Sequence, residues 1–322
     1  MKNKTNLLKK AAGISLSLIL GLASSSALAE WAPKGPINMM IGYKAGGGAD
    51  THARLIAEEI EKRKGWKIIP TQVTGRAGLT LAKKLKQKPG KGTSIGLVVS
   101  EVLGYSMLSA RKSGIQFDDF APISSTVSFQ MGIVSKSDRG WKTFQDVIDA
   151  AKSGKNIRFA VMSAKHADLA YLLGKENGVK FNIIFMKGGK AVMNGINAGD
   201  VDVGFVGGNQ NKSVLAGDLI NLASAKSTPL LVSPDAPLLS EYGVNYSDDG
   251  FFMFVANKKI SQEARDAIAA AITEVANDPS TKAHQFMKKA FGGVTLHSGD
   301  ELTKMLETEL NTAKEMMKAA GE

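Results

Sequence analysis

Residues 42–50 read Gly42-Tyr43-Lys44-Ala45-Gly46-Gly47-Gly48-Ala49-Asp50. The stretch follows the apolar run Ile37 to Ile41. It leads into a segment where Ala53, Ile56, Ala57 and Ile60 recur at helical spacing. A strand, a glycine turn and a helix start in that order aim free backbone N–H groups at one point. Glycine lets a bound group approach the backbone because no Cβ intervenes, and the helix dipole adds partial positive charge there. The stretch therefore reads as an anion cradle on a strand–turn–helix unit. Asp50 is expected to cap the helix and brace the loop; a catalytic acid is the alternative.

Working outward, the same unit recurs. Trp66 to Ile69, Ser94 to Val99, Phe129 to Val134, Ile157 to Met162, Ile183 to Phe185 and Phe251 to Val255 read as strands. Gly199 to Phe205 alternates like another, running into Gly207-Gly208-Asn209. Turns at Gly75 to Gly78, Ser163 to His166 and Met186 to Gly189 precede helical patterns. Alternation of this kind predicts mostly parallel, doubly wound sheets with ligands at the carboxyl ends of the strands. The pattern restarts after Ser135 to Gly140, so two lobes are expected, with crossings near residues 129–134 and 251–255. The C-terminal helices are expected on the first lobe. Ser261 and Asp278 are expected as N-caps, and Ser298 with Glu301 as a capping box. The last helix carries Leu302, Met305, Leu306, Glu309 and Leu310 in an amphipathic pattern.

The first 29 residues have the form of a secretory signal peptide. Lys2, Lys4, Lys9 and Lys10 precede the apolar run Ile14 to Leu22, and Ala27-Leu28-Ala29 suits cleavage. An exported, soluble protein beginning at Glu30 is expected. The chain has no cysteine, which excludes disulfides, thiolate metal sites and a Cys nucleophile. The formal charge of +11 includes those four lysines, leaving about +7 after cleavage. The basic residues are scattered, with no basic arm or aromatic interleaving, so nucleic acid is not an expected partner. Attraction of small anions and simple solubility both fit the charge.

Nothing points to catalysis. Gly46-Gly47-Gly48 lacks the Lys-Ser/Thr pair of a phosphate loop and the dinucleotide glycine spacing. His52, His166, His284 and His297 do not pair at metal-ligand spacing, and no Gly-x-Ser-x-Gly elbow occurs. His52 and His284 are expected on helix surfaces. Asp200 and Asp202 read as a turn entering a strand, with paired carboxylates as the alternative. Three turns spread over two lobes suit the two ends of one small ligand. Ser163 and the ammonium groups of Lys44, Lys165 and Lys187 suit carboxylates; His166 suits either ligand contact or a local capping role.

The ordered motifs resemble the Bug or TctC-like family of periplasmic receptors for tripartite tricarboxylate transporters, over nearly the whole chain after residue 29. Tyr43-Lys44-Ala45-Gly46-Gly47-Gly48-Ala49-Asp50 through Arg54 matches the family's first loop, with Lys44 in place of a proline. Gly75 to Gly78, Asp118 to Ile123, Lys187-Gly188-Gly189, Gly199 to Val203 and Pro234 to Gly243 resemble later motifs, with Met186 replacing a tyrosine. Met162-Ser163-Ala164-Lys165-His166 departs most from the family pattern. The resemblance implies an α/β, two-lobed Venus-flytrap fold, each lobe a mostly parallel sheet flanked by helices. Its expected divisions are 1–29 for the signal, 30–131 and 252–322 for the first lobe, and 132–251 for the second. It also implies a monomeric, cofactor-free binding protein that passes a small organic carboxylate, expected to be a di-, tri- or aromatic carboxylate, to membrane permease subunits. The expected ligand contacts are Tyr43, Ala45, Gly46, Gly47, Gly48, Asp50, Gly78, Ser100, Ser163, Lys165, His166, Lys187 and Gly188. A ligand sensor in a signalling pair and an exported hydrolase are the alternatives.

Overall fold

Segments of four to nine residues form the strands of a computed structural model that describes residues 31–110 and 112–321. The signal peptide expected over residues 1–29 lies outside the described residues. In chain order the strands are β1 (Ile37–Ile41), β2 (Ile68–Gln72), β3 (Ser94–Val99), β4 (Phe120–Ser128), β5 (Met131–Lys136), β6 (Arg158–Val161), β7 (Asn182–Phe185), β8 (Val203–Gly207), β9 (Leu219–Ser224) and β10 (Phe251–Asn257). The helices are α1 (Gly48–Lys64), α2 (Leu79–Lys86), α3 (Tyr105–Ser109), α4 (Phe144–Lys152), α5 (Ala164–Glu176), α6 (Gly189–Ala198), α7 (Asn211–Leu215), α8 (Gln262–Asn277), α9 (Lys282–Phe291) and α10 (Gly299–Ala320).

The strands form two five-stranded sheets, ordered β2-β1-β3-β10-β4 and β7-β6-β8-β5-β9. In the first, β1 pairs parallel with β2 and β3, while β10 opposes both β3 and β4. In the second, β6 pairs parallel with β7 and β8, while β5 opposes β8 and β9. Four strands of each sheet therefore run one way, and the fifth is the strand that arrives from the other half of the chain. This is the two-lobed α/β architecture, with helices flanking each sheet. The inward faces are apolar: Ile41, Leu97, Ile133, Phe159 and Phe205 are fully buried. Helix α8 packs on α1 and β4, and α10 on β4, α3 and α5.

Close helix–strand approach explains a glycine in the second sheet. A Cβ at Gly204 would come within 2.6 Å of Val192 Cγ1 and 2.8 Å of Ala160 Cβ, so α6 seats on the sheet only because that side chain is missing. Two strands went unread in the sequence. β4 contains Pro122 and buries Ser124, Ser125 and Thr126; its place at the sheet edge tolerates the proline. β9 is the opposite edge strand of the second sheet. β2 begins two residues later than expected, because Trp66 turns aside to pack edge-on against Trp31 at 5.6 Å.

Three helix starts differ from expectation. Asp50 is not a cap, as described below. Thr281, not Asp278, caps α9, its Oγ1 accepting from His284 N–H at 3.0 Å. Asp278 instead accepts from Ser280 N–H at 2.8 Å within the preceding turn. Ser298 makes no side-chain cap to α10, because Glu301 pairs with His297 Nδ1 at 2.8 Å. Ser261 caps α8 through Ala264 N–H at 3.3 Å, as its sequence position indicates.

Candidate functional site

The glycine turn leaves the carboxyl end of β1. Tyr43 folds inward, its hydroxyl accepting from Val99 N–H at 3.0 Å, and burial pushes its phenol pKa up. Lys44, Ala45 and Gly46 are exposed, and Gly46 takes φ +74°, which a residue with Cβ rarely adopts. The helix begins at Gly48 with Gly47 as N-cap, so Asp50 is the third helical residue. From there its Oδ2 accepts from Gly46 N–H at 2.9 Å, and its Oδ1 accepts from Arg54 Nε at 2.8 Å and from Gln72 Nε2. Asp50 thus fastens the loop from inside the first turn. Gly47 offers the helix start no side chain, and its amides are left to the loop, to water or to a ligand.

A second glycine-led helix start faces the first. Gly188, at φ +93°, is the N-cap of α6 and also has no side chain to offer. The side chain of Asn209, which follows β8, lies between them. A Cβ at Gly48 would sit 3.2 Å from Asn209 Oδ1, and one at Gly189 would sit 3.9 Å from Asn209 Nδ2. Lys187 is exposed. Gly78, buried at φ +100°, backs the first turn; a Cβ there would meet Val102 Cγ2 at 2.7 Å and Tyr43 Oη at 3.2 Å.

The third turn is polar and closed. Ser163 caps α5, accepting from His166 N–H at 3.3 Å, and donates across to Glu101 Oε2 at 3.2 Å. Lys165 Nζ reaches Asp248 Oδ1 at 3.0 Å. His166 accepts from Met162 N–H at Nδ1, which leaves Nε2–H to donate to Asp248 Oδ2 at 2.8 Å. Burial alone would raise the Asp248 pKa, but Lys165 and His166 outweigh it and hold the carboxyl well below the usual range. Burial would likewise lower Lys165; Asp248, Glu309 and Glu101 reverse this and keep its ammonium charged. Ser100, fully buried, donates to Glu309 Oε1 at 3.0 Å and accepts from Phe251 N–H at 3.4 Å. Burial raises the Glu309 carboxyl to about 7. Tyr105 donates to Asp168 on α5, another tie between the halves.

The sequence profile of the family described as "Tripartite tricarboxylate transporter family receptor" matches residues 48–321. The chain belongs to this receptor family. As a family receptor it is a solute-binding protein and not an enzyme. It is 29% identical over 266 residues to a "UPF0065 protein" from the gbd 5′ region of Cupriavidus necator, covering 79% of this chain and 80% of that one. A second UPF0065 protein, from Agrobacterium vitis, is 23% identical over 252 residues, covering 77% and 73%. Among solved structures, the periplasmic binding protein BugD aligns with a TM-score of 0.77 at 21% identity, over 90% of this chain and 99% of that one. MatC from Rhodopseudomonas palustris, solved with bound malate, aligns at 0.76 and 16% identity over 88% and 99%. An R. palustris protein solved with adipate aligns at 0.77 and 18% identity over 90% and 98%. At these identities the structures speak to the fold.

Within the receptor, the sequence-derived residues fall into two groups. Tyr43, Ala45 to Gly48, Asp50, Gly78, Lys187 and Gly188 belong to the facing glycine turns. Ser100, Ser163, Lys165 and His166 join a buried network whose acids, Glu101, Asp248 and Glu309, sequence reasoning missed. Glu309 had a signal: it stood among the leucines of an apolar helix face. Asn209 had one too, ending a Gly-Gly run after a strand. His52 is a correction. It is not on the surface but fully buried, stacked on Phe252 with ring centres 5.7 Å apart. Asp202 is a structural carboxylate, held by Arg158 Nε and Nη2 at 3.0 Å each and by Arg139 Nη1 at 2.7 Å.

Proposed function

We propose that this receptor captures a small organic carboxylate between its lobes and delivers it to the permease subunits of a tripartite tricarboxylate-type transporter. The lobes divide near residues 131 and 251, and a monomer suffices for this mode of capture. The observation that carries the reading is the convergence of α1 and α6. Both helices begin at glycines without side-chain caps, and both starts lie against Asn209. Unfilled first-turn amides with the positive dipole end behind them are a natural anion site. With the Gly46 N–H held by Asp50 and the Gly47 N–H by Lys44 O, the remaining amides at the start of α1, with Gly188 opposite, would receive a carboxylate. The malate and adipate bound by the two R. palustris proteins support this class of ligand.

A thermal-shift screen against mono-, di- and tricarboxylates tests the reading, since a ligand that binds only the folded state raises the melting temperature. At least one acid should stabilise the wild type in a dose-dependent way. Gly48→Val places branched carbon against Asn209 and Phe291, so its affinity should fall about tenfold or more, roughly 1.4 kcal/mol. Unchanged affinity in a folded variant would show that the glycine turn is not the ligand jaw. Delivery is tested by carboxylate uptake into vesicles containing the permease, with and without the receptor. Export rests on residues 1–29, and N-terminal sequencing of secreted protein should read from Glu30.

A further inference from the structure

Where the two halves meet, Glu101, Asp248 and Glu309 set three carboxylates around one ammonium, that of Lys165. Asp248 is matched on both oxygens by Lys165 and His166. Glu101 receives hydroxyls from Ser106 at 3.0 Å and Ser163 at 3.2 Å. Glu309 is different. Its Oε1 takes the Ser100 hydroxyl, but its Oε2 is buried and has no donor among the described residues. An unmet acceptor on a buried carboxyl is costly, and a native fold that retains one needs a reason for it. The network also adjoins the first glycine turn. Tyr43 at the base of that turn bonds to Val99, the residue before Ser100, and lies within electrostatic reach of Glu101.

These charges weigh against a ligand that is negative at both ends. Lys165 balances one carboxylate of the three and burial favours the protonated form of Glu309, so a second anionic group brought there would meet Glu101 and a carboxyl that resists ionising. A positively charged nitrogen would favour the ionised Glu309, whose Oε2 has no other partner among the described residues, with an acid beside it. Such charge-assisted hydrogen bonds are among the strongest a site can make. We propose that the ligand is an amino-carboxylate, whose carboxylate is held at the glycine turns and whose ammonium is received by Glu309 Oε2 with Glu101 alongside. This rests on the carboxylate reading and narrows its substrate class.

Calorimetric titration of the protein tests it with matched acids: butanoate against 2-aminobutanoate and 4-aminobutanoate, and pentanedioate against its 2-amino derivative. At least one amino acid should bind about tenfold or more tightly than its deaminated partner. Glu309→Gln, nearly the same shape but uncharged, should bring that ratio close to one. Equal or tighter binding of the plain acids overturns the proposal while leaving carboxylate capture standing. An amino preference that survives Glu309→Gln overturns the role of Glu309. If a folded wild type binds no acid of either kind, nor any in the thermal-shift panel, the carboxylate reading fails and this one with it.

Discussion

Asp248→Ala should destabilise the protein by about 3–5 kcal/mol in urea unfolding at neutral pH, the usual cost of breaking a buried ion pair from one side. Asp248 side-chain exposure is 3% and that of Lys165 is 12%. Removing the carboxylate takes away the hydrogen-bond partner of Lys165, leaving it Glu309 and Glu101 as the remaining counter-charges, and leaves His166 Nε2–H without its acceptor. The cost is the two donors left without acceptors together with the lost attraction. The double variant Asp248→Ala/Lys165→Met should recover only part of the loss, because Glu101 and Glu309 lose the same ammonium. A single variant within about 0.5 kcal/mol of wild type would place Asp248 in solvent, contrary to this geometry. The folded-state pKa of Asp248 lies below the ordinary carboxylate value. Its contribution is thus present above the unfolded pKa and fades as pH falls below it.

Acidification should show the second large effect, through His52. Thr126 Oγ1 donates to Phe252 O at 3.2 Å, so it accepts from His52 Nε2–H at 2.8 Å. Nδ1 faces no partner among the described residues, and burial lowers the imidazole pKa from 6.5 to about 3. The unfolded chain binds this proton first, so stability drains away as pH falls from 6.5 towards 3, by roughly 5 kcal/mol in total. Glu309 acts in the opposite sense. Its pKa rises from 4.5 to about 7, so the folded state holds the proton longer and stability declines as pH rises through that window. Between pH 4.5 and 6.5 the two slopes offset each other. Urea midpoints of the wild type should be nearly flat there and fall steeply below. His52→Gln, which keeps a donor for Thr126, should instead lose stability with rising pH across the same interval. A variant whose pH profile parallels the wild type would exclude His52 as the acid-sensitive group.

The first turn was legible because every local signal agreed. An apolar run, three glycines and the spacing of Ala53, Ile56, Ala57 and Ile60 all describe β1 and α1. The same spacing, extended one position back, places His52 beside Ile56, so its burial was readable and was overlooked. β4 was not readable in the same way. Ser125 and Thr126 suit a buried strand only because distant chain satisfies them: Ser125 donates to Thr295 O at 2.6 Å and Thr126 to Phe252 O. The site shows the same divide. The glycine turns are local features and stood out. The partners of Lys165 and His166 did not, because Asp248 lies more than 80 positions downstream and no periodicity links the two segments. Caps failed for a related reason: Asp50, Asp278 and Glu301 each had a competing donor within a few residues.

The exchange of strands between the sheets bears on how the chain reaches this state. Among the described residues, β4 is joined to the first sheet only through β10, and β9 to the second only through β5. A nascent chain that has passed β4 can assemble β1, β2 and β3, but it has no place for β4 until residue 257 has been made. The ordering of the first half is therefore deferred almost to the end of synthesis. Contacts separated by more than a hundred residues must form before the first sheet is whole, a topology that favours slow folding. For much of its synthesis the polypeptide is held open by its own connectivity.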